Sequence, residues 1–149
     1  MIKIIILLLP FILNAQLDIG RFKMAIASTE SKHHGYLAFN PKTNACGKYQ
    51  FLWRYIPIKF KQGYTINTFL KDSVHQEKLM DHHIQNVLLP YATKFKSKYP
   101  SNLHLFYYAS LIHWQGEYGA EWILKRGLIN NYLYLIDKQF KHYGKNIKI

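Results

Sequence analysis

Glu30 is the residue of this sequence best placed to move a proton. It is the only acid between Asp18 and Asp72, and it closes a segment whose apolar residues recur at helical spacing. No obvious cationic partner stands beside it. A carboxylate partly shielded at such a helix end holds its proton to higher pH, which suits a general acid working near neutrality. An ordinary solvated glutamate at a helix end is the plainer reading of the same residue.

Two later stretches carry side chains able to assist such an acid. Gly47-Lys48-Tyr49-Gln50-Phe51 follows a polar loop. Gln50 both donates and accepts hydrogen bonds, so it suits a sugar N-acetyl group or the glutamate itself. Tyr49 and Phe51 flank it as groove walls or as core, with Phe51 the better core candidate. Gly47 either lets backbone approach a ligand closely or simply starts a turn. Further on, His113-Trp114-Gln115-Gly116 ends an apolar helical run. Trp114 offers a face for stacking on a sugar, or closes a helix as core.

Glu30-Ser31, then Gly47-x-x-Gln50, then a helix ending in a glycine-bearing turn at Gly116 resemble, in that order, the lysozyme-like lytic transglycosylases. The resemblance runs over nearly all of the chain after the leader and extends to a middle helix around Val74–Lys78. It implies a mainly α, lysozyme-like single domain with a substrate cleft between two lobes. It also implies cleavage of the MurNAc–GlcNAc β-1,4 bond of peptidoglycan with a single catalytic glutamate, Glu30, leaving 1,6-anhydro-muramoyl ends. Ser31, Gly47, Tyr49, Gln50, His113, Trp114 and Gly116 are the substrate-binding residues it implies, with the Ser31 hydroxyl helping to hold the glutamate. The third motif departs from the usual pattern: His113 stands where a tyrosine is common and Trp114 where an asparagine is. Two alternatives remain open. A hydrolytic lysozyme on the same fold needs a second carboxylate such as Glu117, Asp81 or Asp72, and a non-catalytic domain would bind peptidoglycan without cutting it.

Composition fits an exported protein. Met1-Ile2-Lys3 opens on a positive charge, Ile4 to Leu13 is almost wholly apolar, and Asn14-Ala15-Gln16 offers a small residue at a cleavage site. The apolar run is too short to span a bilayer as a mature helix. Residues 1–15 therefore read as a signal peptide and 16–149 as the functional domain. The expected setting is the periplasm or cell envelope, with no stable membrane span once the leader is removed. The net charge of +12 favours polyanionic partners. Export points to the acidic wall and its glycan strands, with no nucleic acid expected. Small size suggests local wall opening for a secretion or conjugation apparatus. One cysteine, Cys46, allows no internal disulfide. The eight histidines lack zinc-ligand spacing, so neither a metal nor a cofactor is expected.

The elements that must position these residues read as one mostly helical domain. Asp18 is placed to cap a helix over Ile19–Ser31 with Phe22, Ala25, Ile26 and Thr29 inward. Asn40–Asn44 has loop composition, and Tyr49–Phe60 reads as short irregular or extended structure leading into a brief helix. A short helix is expected near Thr65–Leu70. Ser73 and Gln76 form a capping-box pattern ahead of Val74, Met80, Ile84, Val87, Leu88 and Tyr91. In that helix Glu77, with Asp72 and Asp81, reads as a solvated face and cap. Pro90 predicts a kink or end near Leu89. A helix opened by Ser101, an interruption at Gln115-Gly116, a stop at Gly127 and a last helix over Asn130–Tyr143 complete the chain.

Overall fold

The computed structural model describes residues 19–32, 34–99 and 105–128, together with 134–136, 138–139 and 141–142. The expected leader, the Asp18 cap, His33, Ser101 and most of the last helix lie outside the described residues. The first helix, α1 (residues 19–30), forms where the apolar spacing predicts it: Phe22, Ala25 and Ile26 are fully buried. Its end is marked by Lys32, whose φ of 50° lies in the left-handed region usually left to glycine or asparagine.

A 3-10 turn at Gly35–Leu37 leads into a small antiparallel sheet with order β1-β2-β3. Its strands are β1 (Phe39–Asn40), β2 (Ala45–Cys46) and β3 (Phe51–Leu52). Phe39 pairs with Cys46, and Cys46 in turn with Phe51. The loop composition at 40–44 is the β1–β2 turn. The strands around it have two residues each, too few to show an alternating pattern. Cys46 is buried in the middle strand, and burial pushes its thiol up to about 11, so it behaves as a small apolar side chain.

After a second 3-10 turn (Trp53–Tyr55) come α2 (Ile58–Lys61), α3 (Ile66–Lys71) and α4 (Ser73–His83). Thr65 and Thr68 form a reciprocal capping box on α3. On α4 the cap falls one residue before the position expected. The Asp72 carboxylate accepts from His75 N at 2.8 Å, which leaves Gln76 free to point inward. Val74 is 63% exposed, so it is not on the inward face as expected; Gln76, Leu79, Met80 and Ile84 are.

Pro90 acts in a way its presence alone does not specify. Residues Ile84–Leu88 widen into a π turn, with Leu89 N donating to Ile84 O, before α5 (Leu89–Lys98) resumes. Proline has no N–H to give the carbonyl four residues back, and the wider turn accommodates that gap without ending the helix. In α6 (Leu105–Lys125) the interruption expected at Gln115-Gly116 is a kink at Gly116, φ 68° and ψ 178°. The helix then stops at Gly127: Leu128 N donates to Ile123 O and Gly127 N to Leu124 O, a Schellman closure. Helical backbone returns at the described positions from 134 to 142, where Ile136 is buried.

The chain is thus mainly α. The larger core joins α1, the π turn, α5 and α6, with Phe22 and Phe106 stacked at 4.8 Å. A smaller core of Cys46, Ile56, Phe69 and Leu79 lies beneath the sheet, and Phe51 packs against both. Among the described residues no helix is long and apolar enough to cross a membrane.

Gln76 ties the sheet to the helices. Its buried Oε1 accepts from Lys48 N at 2.9 Å, while Nε2 donates to Tyr36 O at 3.1 Å and Phe69 O at 2.9 Å. Gly47 makes that approach possible, since a Cβ there would collide with Gln76 Oε1 and its φ is +78°. Gly63 has a similar φ of +79° but open space around it. Gly47→Ala is therefore expected to cost at least about 2 kcal/mol, against about 1 kcal/mol for Gly63→Ala. Chemical denaturation of the two variants side by side checks the difference.

Candidate active site at the end of the first helix

The last residue of α1 is Glu30, and it is half-buried. It opens onto a cleft of about 410 Å³ between the helix end and the sheet, within the size range of small-ligand clefts. Ser31, Lys32 and His34 continue the wall from α1, Leu37, Ala38 and Phe39 supply the opposite side, and Gln50 closes it. Among the described residues of that lining, Glu30 is the only carboxylate.

Gln50 reaches the cleft because the β2–β3 turn is wound tightly. Its φ is 51°, and both its backbone N and its Nε2 donate to Gly47 O, at 3.1 and 3.0 Å. The side-chain amide is thereby anchored beside Glu30 as a cleft wall. Ser31 is buried, and its hydroxyl donates to Ala27 O at 2.9 Å. That proton is committed to the helix backbone, so the described contact of Ser31 is with α1 rather than with the glutamate.

Tyr49 is corrected from groove wall to core: its side chain is fully buried and its hydroxyl donates to Glu77 at 2.8 Å. Its carbonyl faces the site's support instead. His113 Nε2 donates to Tyr49 O at 3.0 Å, which fixes the tautomer with hydrogen on Nε2. Burial pushes the His113 imidazole below its ordinary range, against the opposing pull of the nearby Glu30 carboxylate and the Tyr49 carbonyl. His83 packs 5.5 Å from it, and burial followed by the two neighbouring imidazoles takes His83 down to about 3. Both rings stand edge-on to Phe51, at 5.4 and 5.6 Å. The resemblance places His113 among substrate-binding residues; the structure sets it behind the Gln50 turn, outside the cleft lining. Trp114, 43% exposed, and Gly116 at the kink also stand outside that lining. Gly47 contributes through its contact with Gln76, not as a cleft wall.

None of the three alternative carboxylates lines the cleft. Asp81 pairs with Lys23 at 2.7 Å, Asp72 caps α4, and Glu117 lies 3.4 Å from Lys94. Among the described residues no three His, Cys, Asp or Glu side chains gather as metal ligands do.

Behind the site lies a polar knot whose centre, Glu77, had read as solvated surface. Lys23 from α1 reaches its Oε2 at 2.6 Å. Lys48 and Tyr36 reach Oε1 at 2.9 and 2.8 Å, and Tyr49 completes the set. Partial burial works against the charge, but these donors overcome it and hold the Glu77 carboxyl down to about 2. The sequence signal was available in part: Lys23 and Lys48 each stand within a buried stretch and need an anion there.

Comparison with other proteins adds no kinship. No protein-family model matches the chain, no curated protein matches it, and no solved structure matches it. The site must speak through its geometry.

Glu77 makes acid stability specific. Its carboxyl is depressed from the ordinary 4.5 to about 2 in the folded chain. The unfolded chain therefore takes up the proton first, and the contribution of Glu77 is full above pH 4.5 and vanishes as pH falls through 2. His83, held down to about 3, adds loss from its ordinary value of 6.5 downward, because only the unfolded chain binds that proton. Glu77→Gln should lower stability at pH 7 by about 2 kcal/mol after allowance for screening. It should also flatten the fall in stability between pH 4.5 and 2, as measured by urea melts across pH.

Proposed function

We propose that this protein cleaves the glycan strands of peptidoglycan as a lytic transglycosylase, with Glu30 as its single acid and base. The observation that carries the reading is the cleft itself: one half-buried carboxylate, with Gln50 beside it and no second carboxylate among its described lining residues. Most glycosidases divide acid and base roles between two carboxyl groups. A site with one must reuse it.

Glu30 donates its proton to the glycosidic oxygen as the bond to C1 of the muramoyl residue breaks. The carboxylate then accepts the proton of the C6 hydroxyl as O6 bonds to C1, closing the 1,6-anhydro ring. No water is consumed, and the carboxyl returns protonated for the next cycle. Gln50, held by Gly47 O through Nε2, is positioned to meet an N-acetyl group, and the exposed ring of Phe39 gives the sugar an apolar face.

The small sheet beside the helical core fits a lysozyme-like arrangement with the cleft between two lobes. Export to the periplasm or cell envelope, and local wall opening for a secretion or conjugation apparatus, belong to the same reading. The charge of +12 favours an acidic wall.

The test is mass spectrometry of fragments released from purified peptidoglycan by the chain from residue 16 onward, run beside Glu30→Gln. Anhydro-ended products, each one water lighter than hydrolysis products, are expected from the wild type. The mutant should lose at least about a hundredfold in rate. Reducing ends would replace the reading with hydrolysis, and binding without release from either protein would make the chain a wall-binding domain.

A further inference from the structure

Two side chains of the cleft have no part in the proton chemistry. Lys32 and His34 both line it and both are exposed. Lys32 follows α1 directly, in a left-handed backbone conformation with φ 50°. A side chain other than glycine or asparagine is disfavoured there, yet the site carries a long cation. The lysines that touch the structural carboxylates are elsewhere: Lys23 and Lys48 on Glu77, Lys94 on Glu117, Lys98 on Glu121. Among the described residues neither the Lys32 nor the His34 side chain makes a hydrogen bond or ion pair; His34 is held through its backbone, its N donating to Ser31 O at 2.9 Å and its O accepting from Leu37 N at 3.2 Å. The cleft thus has a basic flank facing an apolar one, where Leu37 and Phe39 are 67% and 43% exposed.

We propose that Lys32, with His34 beside it, forms a subsite for the carboxylate borne by the muramoyl O3 substituent, so that the cleft tells muramoyl residues from plain N-acetylglucosamine. This rests on the glycan-cleaving reading and adds the group that selects the substrate. The muramoyl residue is the sugar of the strand that carries an anion. Its lactyl carboxyl is either free or amide-linked to a peptide with carboxylates of its own. With the sugar face on Phe39 and the N-acetyl group toward Gln50, a substituent on the same ring reaches the wall built by residues 30–34. An ammonium on a flexible stem suits such a target, because it follows a mobile anion without demanding one geometry.

The experiment is equilibrium binding to Glu30→Gln in the chain from residue 16 onward, where no turnover intervenes. Three ligands of equal glycan length are compared at low salt: a chitooligosaccharide, a peptide-free muramoyl oligosaccharide, and its peptide-bearing form. At least one muramoyl ligand should bind about fivefold tighter than the chitooligosaccharide, and the gap should narrow with added salt. Tighter binding of the peptide-free form names the lactyl carboxylate as the source; tighter binding of the other names the peptide. Lys32→Asn, which tolerates the left-handed backbone, should abolish the gap, and Lys32→Arg should keep it. Equal affinity for all three ligands, or a gap indifferent to Lys32→Asn, overturns the subsite. A lysine-dependent gap in a protein whose wild type releases no fragments keeps the subsite and removes the transglycosylase. Failure of every ligand to bind removes both.

Discussion

Helix α4 holds the candidate site together through two adjacent residues that both turn inward. Glu77 gathers Lys23, Tyr36, Lys48 and Tyr49, and Gln76 gathers the backbone of Tyr36, Lys48 and Phe69. An isolated carboxylate at that depth would be costly, and an unpaired amide costs about 1–3 kcal/mol. Because every polar atom has partners, the cost becomes a constraint. The helix that bears the acid, the 3-10 turn and the Gly47–Gln50 loop can each occupy one place only.

That constraint explains the unequal environments of the two glutamates. Glu77 is surrounded by donors and is held as an anion. Glu30 stands at the C-terminal end of α1 and faces the cleft. The described ion pairs place lysines on Glu77, Asp81, Glu117 and Glu121. One fold thus sets one carboxylate among donors and another on a cleft wall. The neutral His113 supports the same division, buttressing the Tyr49 carbonyl from behind while Gln50, one residue on, lines the front.

The sequence made α1, the α4–α5 stretch and the stop at Gly127 legible, because long apolar faces and a helix-closing glycine are local signals. It singled out Glu30 for the same reason, as a lone acid at the end of such a face. What it hid depends on contacts far along the chain. Two-residue strands carry no period, and Glu77 sits in a helix beside Lys78 and looks like any solvated charge. Tyr49 read as a groove wall because its neighbour Gln50 is one; a tight turn sends the two side chains in opposite directions. The cleft's far side, Leu37 and Phe39, escaped notice because exposed apolar residues are common and only their placement opposite Glu30 gives them meaning. Pro90 announced a disturbance without specifying its form, which the π turn resolved.

The long reach of the α4 ties has a consequence for motion. Lys23 and Asp81 are 58 residues apart along the chain, and Tyr49 and Glu77 are 28 apart, whereas the cleft lining lies entirely within residues 30–50. The cleft-forming segment is therefore local in sequence but borrows its rigidity from a remote helix. Loosening α4 from this segment would free the Gly47–Gln50 turn and the 3-10 turn together, since both hang on the same two side chains. The backbone amides of residues 36–50 and those of α4 then share one opening event, a single cooperative unit in hydrogen exchange. The cleft lives only as long as that unit stays shut.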